Sequence, residues 1–484
     1  MKAGGLSVTL IESADIRAIG VGEGTWPTMR ATLARIGVSE TALFRECDAA
    51  FKQGGQFVGW TTGEAGDSYY HPLMVPQGFT QVNLVPHWLR DGRTMSFCDF
   101  VTPQGRLCDA GLAPKTITHG EYRAVANYAY HLDAGKFGPF LAKHCIEKLG
   151  VRHVLADVEG VNQHENGDIA SVRTAQAGEI AGDLFVDCSG FSALLIGKTL
   201  GVRFKECGDV LLCDTALAVQ VPFATPDAPL ASHTIATAHE AGWTWDICLP
   251  SRRGVGYVYS SRHASEEAAR ETLLRYIGPQ HRNLPVRKIP IRAGHRATFW
   301  KNNCVAVGLA GGFLEPLESS AIVLVELSAK LLAEQLPACR EVMDIVARRF
   351  NDVTMYRWGR IVDFLKLHYV LTRRTDTAFW RDNVDPATVP DRLKDLLTLW
   401  KYQSPWFFDE LDRLEEVFPA ASYQYVLYGM GFNTEVVAEE SADTAAAAAR
   451  FVRENEQMTS EMSTRLPKNR ELLNKIYQFG LQPV

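Results

Sequence analysis

The segment LSVTLIE, residues 6–12, is a short apolar run that ends on an acid. Its valine, threonine and isoleucine predict a strand. A strand closed by Asp or Glu marks the second strand of a dinucleotide-binding βαβ unit, whose carboxylate binds a ribose hydroxyl. Glu12, followed by Ser13, takes that position. The first strand of such a unit and its G-x-G-x-x-G turn stand upstream of the second. Either Glu12 ends an unrelated strand, or the chain as written lacks the first roughly 25 residues of the unit.

Two later stretches repeat the design of an apolar strand running into a glycine turn: DLFVDCSGF (183–191) and NCVAVGLAGG (303–312). Residues 151–175 hold Asn166-Gly167, a favoured hairpin turn, between two strand-like runs. WTWDICLP and GVGYVYSS flank Ser251-Arg252-Arg253-Gly254 and read as a second hairpin. From Ser319 the spacing turns helical through SSAIVLVELSAKLLAEQL, and the remainder to Val484 reads as helices broken by prolines. The run Ala445 to Ala449 predicts exposed helix. The outline is α/β. Residues 1–335 form a sheet module with an inserted β layer, and residues 336–484 a mostly helical region packed on it.

Four stretches carry the chemistry. GVGEGTWP (20–27) packs three glycines and a proline into one turn. It is either a tight loop or a backbone laid close against a flat ligand, which glycine permits because it has no Cβ. In FLEPLESSAIVLVEL (313–327) Glu315 and Glu318 bracket Pro316 just before a helix that begins near Ser319. The N–H groups of Ser320 and Ala321 would lack helical acceptors there and lie in a positive dipole field, an anion site without a basic side chain. Glu318 beside it reads as an acid satisfying the dipole or as a reactive group. AAFKQGGQF (49–57) sets Lys52 among apolar residues and glycines. Most lysines are solvated, whereas one held in a dry pocket is a strong donor and an amine nucleophile. Finally, Trp243, Trp245 and Ile247 alternate onto one face of a strand, the ordinary pattern of a core.

Composition removes several classes. At 46% hydrophobic and 22% charged, the 484 residues describe an ordinary globular protein with a large core or two domains. A net charge of −6 without a long basic run argues against nucleic acid or an acidic membrane as the main partner. Ten scattered cysteines with no C-x-x-C pair read as reduced cytosolic thiols, and no metal-ligand set is expected. There is neither a spanning apolar run nor a secretory signal, so the expected location is the cytoplasm.

Together these stretches resemble the flavin-dependent halogenases of the tryptophan-halogenase type. WTWDI is similar to their W-x-W-x-I signature. LIES, GVGEGTWP, FK, YYHP, DLFVDCSGF and GFLEPLESSAI follow in that family's order, and YQYVLYGMGF resembles its late helical segment. The resemblance covers nearly the whole chain, from about Leu6 to at least Gly431.

The resemblance implies an FAD-binding (GR2-type, Rossmann-like) domain with an inserted β layer and a C-terminal helical substrate region. It implies an enzyme that takes FADH2 from a separate flavin reductase and oxidises chloride or bromide with O2. The product is a hypohalous species, used on an electron-rich, indole- or tryptophan-like aromatic. Lys52 would hold that species. Glu318 would polarise it and accept the proton lost from the ring, a general-base step. The amides of Ser320 and Ala321 would seat the halide, and GVGEGTWP would be the strap between flavin and substrate sites. Glu12, Ser13, Glu23, Gly24, Val158, Leu309 and Ile322 would contact FAD, while Trp243, Trp245 and Ile247 would shield the flavin from organic substrate. His71 and Leu73 would face the ring.

Ser319-Ser320-Ala321 replaces the family's S-T-G, Leu73 replaces a frequent second aromatic, and no tyrosine-rich lid is found. These departures favour a generic indole or phenol over free tryptophan. Two other readings fit the sequence: a flavin-dependent aromatic monooxygenase, and a pseudoenzyme that binds FAD poorly for want of the glycine turn. A homodimer is compatible with the sequence.

Overall fold

The computed structural model describes residues 5–15, 22–407, 416–435 and 441–483. Part of the strap, residues 20 and 21, lies outside them. The widest layer is a seven-stranded sheet. In spatial order it runs Arg287–Pro290, Thr215–Pro222, Arg252–Tyr259, Gly242–Cys248, Thr234–His239, Gly54–Val58 and Ser68–Pro72. All neighbours are antiparallel except Thr234–His239 and Gly54–Val58. One face packs on the helix Glu266–Ile277, and the other on the main core.

The predicted alternation holds in the strand Gly242–Cys248. Trp243, Trp245 and Ile247 all enter the main core. On the opposite face Thr244 meets His239 and Asp246 pairs with Arg253. The hairpin to Arg252–Tyr259 also holds, with a tighter connection than expected. Leu249 N donates to Arg252 O, so Pro250-Ser251 is the link and Arg252 to Gly254 are already strand. Residues 158–174 form the other hairpin, with Gly167 at φ 84°, a conformation glycine adopts without strain.

DLFVDCSGF and NCVAVGLAGG prove to be partners, not only similar in design. Their strands Phe185–Asp187 and Cys304–Ala306 pair in parallel, and the turns that follow, Gly190–Ser192 and Gly308–Ala310, lie against each other. The strand of LSVTLIE is shorter than its apolar run, Thr9–Glu12, and pairs in parallel with Arg152–Leu155. Leu6 and Val8 ahead of it stay exposed, as do Val186 and Phe191 beside the second pair.

Beyond Phe313 the named elements among the described residues are helices, from Ser320–Glu334 to Asn469–Phe479. The longest, Arg340–Val370, is buried along its last three turns, and Ala420–Gly429 is buried almost throughout. These helices pack directly on the sheet. Trp243 and Trp245 share one continuous core with Phe364, Tyr369, Phe418 and Tyr425. All ten cysteines are free thiols, and no described helix is long and apolar enough to cross a membrane.

Candidate active site

A three-stranded sheet, Glu23–Gly24, Ala129–Leu132 and Ala50–Lys52, places the strap and the lysine close together. Lys52 is 5% exposed. Its Nζ donates to Ser319 Oγ at 3.0 Å and to Thr25 O at 3.3 Å. Burial pulls the amine down to about 8, although Glu318 and Glu23 oppose the shift. About a tenth of the amine is then neutral at pH 7, far more than for a solvated lysine, and the neutral form is the nucleophile. Gly24 makes this approach possible. A Cβ there would lie 2.5 Å from Ser319 Oγ and 3.0 Å from Lys52 Nζ.

Glu318 sits in a turn, Leu317–Ser319, whose backbone is unusual. Glu318 at φ 63° and Ser319 at φ 56° are consecutive left-handed residues, neither of them glycine. Such geometry costs about 1–3 kcal/mol per residue and persists only where surrounding contacts impose it. The contacts are evident. Trp26 Nε1, at the end of the strap, donates to Glu318 O at 2.9 Å. His71 Nδ1 lies 2.9 Å from each carboxylate oxygen, and His368 Nε2 lies 3.1 Å from Oε1.

A carboxylate only accepts, so the proton of His71 is on Nδ1. Its Nε2 meets Ser422 Oγ at 2.9 Å. The Nδ1 of His368 meets Tyr69 OH at 2.7 Å, which leaves its Nε2 to face Glu318. Burial alone would raise the Glu318 pKa, but the two imidazoles outweigh it and hold the carboxyl well below the usual range. Burial holds His368 down, toward the neutral ring. Glu318 is thus a fixed anion near a partly neutral amine.

The helix Ser320–Glu334 begins one residue past the predicted start, and Ser319 makes no side-chain cap. Ser320, buried, and Ala321, half-buried, are its first two residues, so the expected amide pair stands at the helix start. Ser319 completes that corner by meeting Lys52.

The other candidate residues take the following places. His71 is a buried partner of Glu318, with both ring nitrogens engaged. Leu73 is held through its N–H by Gln104 Oε1 at 2.7 Å. Glu23 faces Lys52, and burial pushes its carboxyl up to about 7 while Lys52 pulls it back. Glu12 and Ser13 lie at the end of the Thr9–Glu12 strand, where Glu12 meets His153 at 2.7 Å. Leu309 is in the Gly308–Ala310 turn. Val158 packs beneath that strand pair and Ile322 on the core around Phe44 and Tyr130.

The partners His368, Tyr69, Ser422 and Trp26 escape the sequence reading. His368 stands in LKLHYV, an ordinary buried helix segment, and Ser422 lies 351 residues from the histidine it meets. No local pattern marks either one.

The tryptophan halogenase family profile matches residues 1–447. The chain belongs to the tryptophan halogenase family. It is 34% identical over 453 residues to the tryptophan 6-halogenase of Streptomyces toxytricini, covering 88% of this chain and 84% of that protein. A tryptophan halogenase from Shewanella frigidimarina has a crystal structure that superposes with a TM-score of 0.97 at 45% identity, over 99% of this chain and 92% of that one. A flavin-dependent halogenase from Xanthomonas campestris superposes at 0.87 with 31% identity, over 99% and 94% of the two chains. Members of the tryptophan halogenase family are enzymes, and the α/β architecture described above is theirs.

Proposed function

We propose that this tryptophan halogenase family member is an FADH2-dependent enzyme that installs chlorine or bromine on an indole-like aromatic. The observation that carries the reading is the dry lysine. Lys52 Nζ lies on Ser319, one residue from a Glu318 that two histidines hold anionic. A solvated surface lysine and a free helix-start acid, the bland readings of both residues, do not account for this burial and these partners.

FAD fits the carboxyl ends of the two parallel strand pairs, where ligands of α/β sheets bind. Exposed Phe191 and Val186 offer apolar surface to a flat ring system. The half-exposed Glu12 carboxylate is suited to a ribose hydroxyl, and Gly308 at φ 66° turns the chain beside them. Glu12, Ser13, Leu309 and Val158 would hold it there. Reduced by a separate flavin reductase, it supplies the oxidation of halide by O2.

The chain's own residues do the rest. Trp243, Trp245 and Ile247 form an apolar face that favours passage of halide over an organic ring. The Trp245 indole occupies the space over Gly256 on the neighbouring strand, where a Cβ would meet it at 2.1 Å. The amides of Ser320 and Ala321 seat the halide. Lys52 holds the hypohalous species by a hydrogen bond or as a haloamine and aims it at the ring. Glu318 polarises that reagent and takes the proton when the ring regains aromaticity. A strongly acidic ring cation needs only a weak base, so a carboxylate held well below its usual pKa suffices.

The test is turnover of the 484-residue chain with FAD, a flavin reductase, NADH, air and either halide. The substrates are indole, phenol and tryptophan, and products are read by mass spectrometry. Halogenated product from the native chain and none from Lys52→Ala supports the reading. Hydroxylated product alone supports the monooxygenase instead.

A further inference from the structure

Three residues before Glu318, Glu315 makes contacts that the halogenation chemistry does not use. It is 1% exposed. Its Oε2 accepts two hydrogen bonds, from Trp243 Nε1 at 3.0 Å and from Tyr369 OH at 2.6 Å. Its Oε1 is buried with no partner. Trp60 packs 6.0 Å from Trp243 and 5.2 Å from Tyr369, closing an aromatic cage around the pair. The segment carrying Glu315 runs from the strand Gly312–Phe313 straight into the left-handed turn that presents Glu318 and Ser319.

We propose that Glu315 is a positioning residue that ties the tryptophan face to the Glu318 turn, one carboxyl oxygen clamping Trp243 and Tyr369 while its own segment delivers Glu318 to Lys52. This rests on the reading of Trp243 and Trp245 as the face that separates halide from organic substrate. The clamp coordinates two things that must stay in register, the shield and the reactive carboxylate. Trp243 sits on the central sheet, Tyr369 on the helix Arg340–Val370, and Glu315 between them. A shift of either element would move the turn.

The clamp functions best with Glu315 neutral. A carboxylate here would leave one charged oxygen buried and unpaired, which is costly. The groups facing it are Tyr369 and Trp243 as donors, Cys213, and Lys366, whose Nζ is held by Val210 O at 3.1 Å and Asn383 Oδ1 at 3.3 Å. Burial pushes Glu315 up to about 7, with Tyr369 and Trp243 pulling the other way. Glutamine has the same shape, keeps the acceptor and puts an N–H where the acid would carry its proton.

The experiment compares the native chain with Glu315→Gln, Glu315→Leu and Trp243→Phe. The first reading is tryptophan fluorescence of the cofactor-free protein against pH. The second is the fraction of consumed O2 that appears as halogenated product rather than hydrogen peroxide. The native chain should show an emission step near pH 7 that Trp243→Phe and Glu315→Gln both abolish. Glu315→Gln should keep product formation within about threefold and lose its pH dependence across that step, whereas Glu315→Leu should divert about tenfold more O2 to peroxide. A step that survives in Trp243→Phe or Glu315→Gln overturns the clamp, as does native partitioning in Glu315→Leu. If the leucine variant does not fold, the glutamine and phenylalanine titrations still decide. If even the native chain halogenates nothing, the functional reading fails, while the emission step still tests Glu315 by itself.

Discussion

The imidazole of His71 faces the carboxylate of Glu318 so squarely that Nδ1 lies 2.9 Å from both oxygens. The ring is held from behind by Ser422. A histidine from a sheet edge and a serine from a late helix therefore fix the charge and orientation of a glutamate in a strained turn. This explains how two consecutive non-glycine residues stay left-handed there.

Removing the ring should release the carboxyl. In His71→Leu the Glu318 pKa should rise, because His71 is the largest of the influences that lower it. A folded pKa held below the unfolded one contributes stability above the unfolded value and loses it as pH falls through the folded one. The variant should thus lose stability at neutral pH and lose activity at a higher pH than the native chain does on acidification. Thermal melts and pH–rate profiles measure both. An unchanged acid limb would separate His71 from Glu318.

Glu318→Gln keeps the size of the side chain but removes the base and the charge. Halogenation should fall by roughly 10²–10⁴, the usual worth of a positioned general base. Steady-state product formation checks this, with O2 consumption continuing. If Glu315→Gln is equally damaging, the two acids have been given the wrong roles.

Lys52 should show a conflict between stability and activity. Its amine is pulled below its unfolded pKa, so between about 8 and the unfolded value the unfolded chain binds more protons, and stability rises with pH across that window. At pH 7 the buried charge is a burden of order 1–3 kcal/mol. Lys52→Met should abolish halogenated product yet raise the melting temperature at pH 7, with a smaller gain at pH 10. Arginine should not restore activity, because it neither loses its proton nor fits the same space.

Gly24→Ala tests the strap. The new Cβ would sit 2.5 Å from Ser319 Oγ and 3.0 Å from Lys52 Nζ, so the serine or the lysine must move. Overpacking of this kind costs about 1–3 kcal/mol. Product formation should fall further than stability implies, since the displaced atoms are the reactive ones. Denaturant melts beside turnover separate the two effects, and a fully active variant would show that the strap stands off from Lys52 in solution.

The sequence by itself determined what depends on local order. Alternation in GWTWDIC put three large apolar side chains on one face, because strand geometry leaves no other choice. The spacing in SSAIVLVEL required a helix, and so an uncapped pair of amides at its start. The repeated design around Phe185 and Cys304 declared two strands that each run into a glycine turn, and the order of motifs identified the family. Only the tertiary structure decided which acid does what. Glu315 and Glu318 are three residues apart in one loop, and nothing local distinguishes them. Folding turns one toward Trp243 and Tyr369 and the other toward His71 and His368. Burial pushes both carboxyls up, and only the two histidines beside Glu318 are strong enough to reverse it, so the two pKa values end on opposite sides of the usual range. The same holds for Lys52, whose dryness comes from Gly24 and Ser319, brought in from remote parts of the chain. Charge state in a protein interior is set by neighbours in space, and those neighbours were tens to hundreds of residues away in the sequence.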